Sequence, residues 1–429
     1  MKSERASNIL ENRTILESEA LLHGTLLAPE IYPYRVTFWF TVFYFLISHG
    51  RVHVLLPFLT NIPCAMISGI LAVTAFWFEH GKVQEKHSWV REEKLVLGLL
   101  IMCLVTLPTS IWLGGSVTGL YKSFLPMIVL MFITAIICRS VADIEKFVWL
   151  LLVNNMLIIY FVLSKDISHI SKGITDTYDT NDIAMVLDCS LPILFYFMIS
   201  CRGIKKNILS ICVVLLAITV IKTASRGGML GLIAFGGYLL LHSRSRVKYF
   251  VTSVVGIIFI VTFAPQETKE RFSSMINPQT EYDQSLGART QIWESGVKLF
   301  MKSPVLGVGF GNYAVADGGM KESGSWDTAH NSLLLVAVEL GIVGLVLLVM
   351  LSAGTFFKFR RIRKELEAID YDDEMLWITQ GIELSLVIYM VTAFFLSQAY
   401  SPFFFFIISL AIAAQKFLSP AKSQGAGAN

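Results

Sequence analysis

Three residues near the ends of apolar segments have side chains suited to group transfer: Arg226, Arg289 and His330. An arginine guanidinium binds phosphate oxygens through two parallel hydrogen bonds, and a neutral imidazole accepts a proton near neutral pH. If the fold places all three on one side of a membrane, two cations and one base suit a lipid-linked phosphate or pyrophosphate donor. The apolar segments that flank each residue decide whether this arrangement forms.

Arg226 lies in a very short turn, Thr223–Gly228, between two short apolar segments. Residues 207–242 are just long enough for two membrane crossings, so the turn holds Arg226 close to the apolar boundary. The next two residues, Gly227 and Gly228, let a ligand or another backbone approach closely. The alternative is an arginine that reaches from the bilayer edge to water and binds no ligand.

Arg289 lies near the start of the segment 287–302, whose apolar residues recur near helical spacing: Ile292, Val297, Leu299 and Phe300. This pattern predicts an amphipathic helix that lies on the membrane. Trp293 follows Arg289 by one helical turn on the same face, and tryptophan suits the membrane interface. An arginine there can reach a phosphate at headgroup level, and a solvated charge on an interfacial helix is an equal alternative.

His330 follows Asp327-Thr328-Ala329 and precedes a long apolar segment. Asp327 or Thr328 is a good helix N-cap, which predicts that His330 lies in the first turn of the next helix. A helix N-terminus disfavours a protonated imidazole, so this histidine would be neutral at pH 7 and able to accept a proton. Asn331 either orients a ligand or extends the cap. A purely structural histidine is the alternative.

Other residues give weaker signals for chemistry. Asp176, Asp179 and Asp182 are close in sequence, but their spacing matches no metal-binding loop, and no metal site is expected. The glycine-rich stretch 307–311 is rich in turns and lacks the preceding strand of a nucleotide-binding loop.

Polar residues inside the apolar segments are predicted to be structural. Asp188 and Glu339 lie within such segments, where an ionisable side chain is costly and requires a buried partner. All six cysteines lie in or beside apolar runs, and they form neither a metal-binding spacing nor a disulfide framework.

The composition indicates a membrane environment. Of 429 residues, 54% are apolar and 16% are charged, and the mean hydropathy is +0.63. A typical soluble domain carries about 25% charged residues, so a water-soluble globule would expose much apolar surface here. Long unbroken runs such as 95–113 and 403–418 predict helices, whereas a β-barrel shows segments of alternating polarity. The predicted fold class is therefore an all-α, polytopic membrane protein.

Twelve segments are candidates for membrane-spanning helices. They cover residues 36–49, 54–78, 95–113, 124–138, 147–163, 183–200, 207–223, 228–242, 248–264, 331–357, 380–397 and 402–418. The first is short and the second contains Pro57 and Pro63, so the early region could hold one distorted pair. An even count of twelve is favoured, because adding or removing one early span would disrupt the alternation of positive charge across the membrane.

Positive charge predicts the orientation. Of the 35 Lys and Arg residues, 23 lie on the side that holds both termini, against 6 in the short loops of the opposite side. The chain then divides into a cytoplasmic arm (1–35), helices one to nine (36–264), an outer loop (265–330), helices ten to twelve (331–418) and a cytoplasmic tail (419–429). The outer loop carries Arg289 and His330, and the turn that contains Arg226 faces the same side.

Several motifs together resemble the O-antigen ligase/polymerase superfamily. They are Ser225-Arg226-Gly227-Gly228, Gly287-Ala288-Arg289-Thr290-Gln291-Ile292-Trp293, Pro304-Val305-Leu306-Gly307-Val308-Gly309, Ala329-His330-Asn331-Ser332 and Glu339-Leu340-Gly341. Asn181-Asp182-Ile183-Ala184, at the start of the sixth predicted span, also matches the pattern. The resemblance covers residues 170–355 specifically and the whole chain in topology.

This resemblance implies a bacterial inner-membrane glycosyltransferase of GT-C-like fold, with about twelve transmembrane helices and a large periplasmic loop. Such an enzyme transfers a glycan from undecaprenyl pyrophosphate to an acceptor hydroxyl, with inversion at the anomeric carbon and with neither metal nor cofactor. Carried over by position, Arg226 and Arg289 would bind the pyrophosphate, and His330 would be the general base. The supporting residues would be Asn331, Trp293 and Asn181.

The implied partners are the lipid-linked donor, membrane lipids and an acceptor that is a glycan, lipid A core or protein; no nucleic acid is implied. A repeat-unit polymerase and a protein O-oligosaccharyltransferase are alternatives within the same chemistry, because they differ in the acceptor hydroxyl. A twelve-span transporter is the alternative from another class. Transporters often show two similar halves and charges near the membrane midplane, whereas here the informative charges lie at the outer edge.

Overall fold

The computed structural model describes residues 32–50, 62–83, 87–164, 179–242, 283–320, 326–368 and 373–418. Within these ranges every regular element is a helix, so the all-α prediction is confirmed for them. The helices are α1 (Arg35–Ser48), α2 (Cys64–His80), α3 (Arg91–Val105), α4 (Leu113–Ile137), α5 (Val141–Ser164), α6 (Thr180–Ser200), α7 (Gly203–Lys222), α8 (Arg226–His242), α9 (Asp283–Lys302), α10 (Tyr313–Gly318), α11 (Ser332–Ala368), α12 (Asp373–Ala393) and α13 (Pro402–Leu418).

Six of the described helices are long and apolar enough to cross a membrane: α4, α5, α6, α7, α11 and the Met375–Ala393 part of α12. Helices α1, α2 and α13 are also apolar but shorter. The chain is therefore a multi-pass membrane protein. The predicted span 248–264, residues 1–31 of the predicted arm, the tail 419–429 and loop residues 265–282 lie outside the described residues, so the count of twelve stays a prediction.

The predicted span 95–113 is wrong at its C-terminal end. Helix α3 ends at Val105, and α4 begins at Leu113, well before the predicted start at residue 124. Pro108 lies between them, and proline disfavours helical backbone in the residue that precedes it. The intervening turn packs instead against the glycine-rich stretch, where the Ile111 N–H donates to the Val308 carbonyl at 3.0 Å.

Helices α6 and α12 form the centre of the described bundle. The Ser385 hydroxyl of α12 donates to the Cys189 carbonyl of α6 at 2.6 Å, and Gly381 lets α12 approach the α6 backbone at Ile193. Helices α5, α7 and α8 pack around α6, whereas α11 packs against α12 and α3. This arrangement brings the N-terminal ends of α6, α8 and α11 to the same end of the bundle.

Helix α11 is interrupted at Gly341. This residue has φ +69° and ψ −169°, a backbone conformation that is nearly restricted to glycine. A side chain at this position would overlap the Val305 carbonyl. The Ile342 N–H, which the break leaves without a helical acceptor, donates to the Pro304 carbonyl at 2.8 Å. The loop that contains Pro304 is therefore part of the break.

The glycine-rich loop 304–311 replaces the helical hydrogen bonds that are lost at this break. The Val308 and Gly309 N–H groups donate to the Val338 and Glu339 carbonyls at 2.9 and 3.0 Å. Such compensation is required because an unpaired backbone group inside a membrane protein costs several kcal/mol. The loop glycines thus have a structural role, and they join the segment after α9 to the first half of α11.

Replacing Gly341 by alanine is expected to destabilise the protein by about 1–3 kcal/mol or more, because of backbone strain and the overlap with Val305. The midpoint of thermal unfolding of the purified protein in detergent measures this loss. Gly237→Ala in α8 is the matched control, since nothing lies within 4 Å of a Cβ at that position. Equal midpoints for the two variants would contradict the interpretation of the break.

Helix α11 extends beyond the predicted end at residue 357, because its basic C-terminal part forms ion pairs. Lys358 lies 3.2 Å from the carboxylate of Glu92, and Arg363 lies 2.6 Å from that of Glu383. At 1.5 Å per residue, Lys358 is about 24 Å along the second part of α11, counted from Ile342 after the break, and the first part adds to this distance. The basic cluster and the α11 N-terminus therefore lie at opposite ends of the bundle.

Candidate functional site

Arg226 is the first residue of α8, and Ser225 caps that helix. The Ser225 hydroxyl accepts a hydrogen bond from the Gly228 N–H at 3.2 Å. The same hydroxyl donates to the Asn181 side-chain oxygen in the first turn of α6 at 2.7 Å. Asn181, which the motif pattern identifies as a supporting residue, therefore joins the start of α6 to the start of α8, beside the half-buried Arg226.

The aspartates near the start of α6 have capping and linking roles. Asp179 caps the helix by accepting hydrogen bonds from the backbone N–H groups of Asn181 and Asp182, both at 2.8 Å. The Asp182 carboxylate accepts a hydrogen bond from the Gln398 side chain at 2.5 Å. Asp176 lies outside the described residues. Among the residues that the structure describes, no group of three or more His, Cys, Asp or Glu is arranged to hold a metal ion.

Trp293 fixes α9 to the segment that precedes His330. Its indole N–H donates to the Ala329 carbonyl at 3.0 Å, and its ring packs edge-to-face on Phe394 at 5.8 Å. Arg289 is one turn earlier on the same helix and is half-buried. The indole contact therefore holds Arg289 near His330.

The apolar face of α9 differs from the prediction, because it packs against protein. Ile292 and Leu299 are each only 5% exposed, whereas Val297 remains 53% exposed. The Tyr313 hydroxyl of α10 donates to the Ile292 carbonyl at 2.9 Å. Gly296 faces the side chain of Leu334 in α11. Ile292 and Leu299, which the sequence prediction placed against the membrane, are thus buried where α9 packs against α10 and α11.

The predicted cap of α11 at Asp327 or Thr328 is wrong. The helix begins at Ser332, and the Asn331 side-chain oxygen accepts hydrogen bonds from the backbone N–H groups of Leu333 and Leu334 at 2.9 and 3.0 Å. His330 lies before this cap with φ +45°, a left-handed conformation outside the helix. Asn331 therefore has the capping role, and His330 is not in the first turn.

His330 is held at its backbone and half-buried at its ring. The His330 N–H donates to the Ser397 hydroxyl at 2.8 Å. Its Nε2 atom lies 3.4 Å from the Thr328 hydroxyl. The imidazole thus sits at the start of α11 in an environment with restricted access to water.

The charges of this region act on one another. Burial and the nearby Arg226 lower the pKa of Arg289, whereas Asp179 opposes that shift. Burial is also the main cause that lowers the pKa of His330 from its ordinary 6.5; Arg289 adds to this effect, and Asp179 and Asp327 oppose it. The structure therefore brings both arginines and the histidine together, with the histidine neutral at pH 7.

Three helices begin at this cluster: α6, α8 and α11. A helix N-terminus carries a partial positive charge and free N–H groups, so it favours an anion. With the guanidinium groups of Arg226 and Arg289, this end of the bundle suits a doubly charged phosphate-containing group. A neutral imidazole beside it can accept a proton from a nucleophile.

The sequence interpretation placed Ser225 in a motif without giving it a role, and it missed Ser397 and Gln398. Ser397 and Gln398 lie in the loop between α12, which ends at Ala393 and not at the predicted residue 397, and α13. The available signal was a polar interruption of an otherwise apolar region, Ser397-Gln398 and Tyr400-Ser401. That pattern does not indicate to which helix termini this loop is hydrogen-bonded.

The two acidic residues inside the apolar segments differ in their surroundings. The Glu339 carboxylate accepts a hydrogen bond from the Tyr313 N–H at 3.1 Å, which confirms a buried structural partner. Asp188 is fully buried in α6 against Gly228 and Gly231 of α8. Neither of its carboxylate oxygens has a hydrogen-bond partner among the described residues, so the predicted partner of Asp188 is not found there.

Comparison with known proteins agrees with these features. The model of the O-antigen ligase family matches residues 211–349, a range that contains Arg226, Arg289 and His330. The exopolysaccharide production protein ExoQ of Rhizobium meliloti (strain 1021) is 32% identical over 85 residues. That alignment covers 18% of this chain and 19% of the relative, well under two thirds of its length. The resemblance seen in the motifs is thus confirmed: residues 211–349 of this chain are similar to the O-antigen ligase family.

Proposed function

We propose that this protein is a glycosyltransferase that moves a glycan from undecaprenyl pyrophosphate to an acceptor hydroxyl, on lipid A core or a similar molecule. The reaction takes place at the periplasmic face of the bacterial inner membrane and needs no metal ion. The observation that carries this proposal is the convergence of Arg226, Arg289 and His330 where three helices begin.

In this mechanism the arginines bind the leaving group. The bond between the anomeric carbon and the pyrophosphate oxygen breaks, and negative charge develops on that oxygen. The guanidinium groups of Arg226 and Arg289 and the nearby helix N-termini stabilise this charge. Because pyrophosphate leaves as a stable anion, no acid is required on that side of the reaction.

His330 activates the acceptor. A sugar or protein hydroxyl is a poor nucleophile until it loses its proton as the new bond forms. The imidazole takes that proton while the hydroxyl oxygen attacks the anomeric carbon from the face opposite the pyrophosphate, which inverts its configuration. Burial and Arg289 keep His330 neutral, which is the form that can act as a base.

The three supporting residues help to position the two arginines and the histidine. Asn181 holds the Ser225 cap beside Arg226, and Trp293 fixes the helix of Arg289 to the chain beside His330. Asn331 caps the start of α11, directly after the base. None of the three is assigned a direct part in bond making.

A repeat-unit polymerase is the second candidate function. The observation that favours it is the similarity to a protein of exopolysaccharide production. A polymerase would use the same arginines and histidine, with the end of another lipid-linked glycan as the acceptor.

The test is transfer by the purified protein, using a lipid-linked donor with either lipid A core or a second lipid-linked glycan as the acceptor. Attachment to lipid A core, unaffected by EDTA, supports the ligase. Chain growth on the lipid-linked acceptor supports the polymerase. Absence of transfer to both acceptors would reject both assignments, and abolition by EDTA would reject the metal-free mechanism.

The site is expected to face the periplasm, because positive charge concentrates on the opposite side of the membrane. A reporter active only in the periplasm, fused after Met320, should give signal. The same reporter fused after Arg361, at the other end of α11, should not. Signal after Arg361 with silence after Met320 would invert the topology and remove the site from the periplasm.

A further inference from the structure

We propose that Ser397 and Gln398 are positioning residues, which hold the base His330 in register with the arginines that bind pyrophosphate. Both lie in the loop between α12 and α13, residues 394–401, hereafter the bridging loop. The proposal rests on the proposed function, because it assumes that His330 is the base.

The first link is between Ser397 and the backbone of His330. The His330 N–H donates to the Ser397 hydroxyl at 2.8 Å, and His330 has φ +45°. A residue other than glycine keeps such a left-handed conformation only where its surroundings hold it there. That backbone conformation sets the direction of the Cα–Cβ bond from which the imidazole extends, so the Ser397 hydroxyl contributes to where the base lies.

The second link is made by Gln398, which contacts two helix starts at once. Its backbone N–H donates to the Ser332 hydroxyl at the start of α11 at 2.9 Å. Its side-chain amide donates to the Asp182 carboxylate at the start of α6 at 2.5 Å. Hydrogen bonds to a charged acceptor are the stronger kind, so this contact is well suited to fix a spacing.

The third link continues from α6 to the arginine side of the site. Asn181, next to Asp182, accepts a hydrogen bond from the Ser225 hydroxyl at 2.7 Å. Ser225 directly precedes Arg226 and is 1% exposed. Three hydrogen bonds, joined by residues adjacent in sequence, therefore connect the backbone of the base to the helix start that carries Arg226.

The bridging loop is itself held in place. The Gln398 carbonyl accepts a hydrogen bond from the Tyr389 hydroxyl at 3.1 Å, and the Tyr389 ring stacks on Phe404 at 4.2 Å. The Ser332 hydroxyl donates to the Leu396 carbonyl at 2.6 Å. These contacts anchor the loop independently of Ser397 and Gln398 side chains, so variants at those two side chains should keep the fold.

The first experiment compares Ser397→Ala and Ser397→Thr with the unchanged protein in the transfer assay. Alanine should lower kcat by about tenfold or more, because small misplacements of a catalytic group are costly, with donor KM within about twofold. Threonine keeps the hydroxyl and should restore most of kcat. Ser409→Ala, which removes a buried hydroxyl bonded only within α13, should leave kcat and KM unchanged.

The second experiment exchanges the partners of the Gln398 contact. Gln398→Glu places a carboxylate against Asp182, and we expect kcat to fall. Combining it with Asp182→Asn restores a neutral donor opposite a carboxylate, and kcat should recover. A melting temperature measured for each variant separates this recovery from a change in stability.

The outcomes distinguish this inference from the proposed function. If His330→Ala is inactive but Ser397→Ala has normal kcat, the positioning role of Ser397 is rejected and the base assignment stands. If the Asp182→Asn, Gln398→Glu pair does not recover kcat, the role of Gln398 is rejected. If His330→Ala itself transfers normally, the proposed base is wrong, and the positioning proposal fails with it.

Discussion

His330→Ala is expected to lower the transfer rate by about 10²–10⁴-fold, the usual contribution of a general base. The acceptor hydroxyl would then have no group to take its proton as it attacks the anomeric carbon. His330→Asn and His330→Gln should not restore activity, because neither amide accepts a proton near neutral pH. Purified protein, lipid-linked donor and acceptor allow the rate to be measured, and membrane abundance checks that each variant folds.

The pH dependence of the rate tests the same assignment. The pKa of His330 lies below its ordinary 6.5, because of burial and then Arg289. The imidazole is therefore neutral at pH 7, and the rate should fall only when the pH drops below that lowered pKa and the ring is protonated. Asp327 raises the pKa of His330, so Asp327→Asn should move this acid limb to lower pH.

Two results would contradict the role of His330. Turnover of His330→Ala close to that of the unchanged protein would show that another group accepts the proton. An acid limb that stays in place after Asp327→Asn would show that the group titrating in the rate profile is not His330.

Arg226→Lys and Arg289→Lys are each expected to lower activity by about 10²-fold, the usual effect of removing one donor that stabilises developing charge. Lysine keeps the positive charge but loses the planar fork that binds two phosphate oxygens together. Initial rates with varied donor measure the loss, and the amount of protein in the membrane should stay normal.

Arg361→Lys is the matched control for both arginines. Arg361 is exposed near the opposite end of α11, so its replacement should leave the rate unchanged. Full activity of both site variants would indicate that charge alone, without bidentate geometry, is sufficient. The assignment of Arg226 and Arg289 as pyrophosphate ligands would then be wrong.

The membrane character, the all-α class and the three candidate residues could be predicted from sequence. Depletion of charge and long apolar runs are local properties, and a helix satisfies its own backbone groups within one segment. The same local argument predicted the approximate positions in sequence of most apolar helices among the described residues. Arg226, Arg289 and His330 could be identified as candidates for the same reason, because the chemical group of a side chain is a property of that residue alone.

Contacts between distant segments decided the rest. The break at Gly341 exists because the loop near Pro304 supplies hydrogen bonds to it. The apolar face of α9 turned to protein because α10 and α11 offered an apolar surface there. These are long-range pairings, and helical periodicity contains no information about which partner a face will meet.

The proximity of the site residues likewise depends on tertiary structure. Arg226 and His330 belong to helix starts that the bridging loop joins through Gln398, and no local pattern reveals that link. The lowered pKa of His330 also depends on burial and on Arg289 from another helix. Sequence thus determined which groups this protein has for chemistry, and only the packing of helix ends determined that they act on one another.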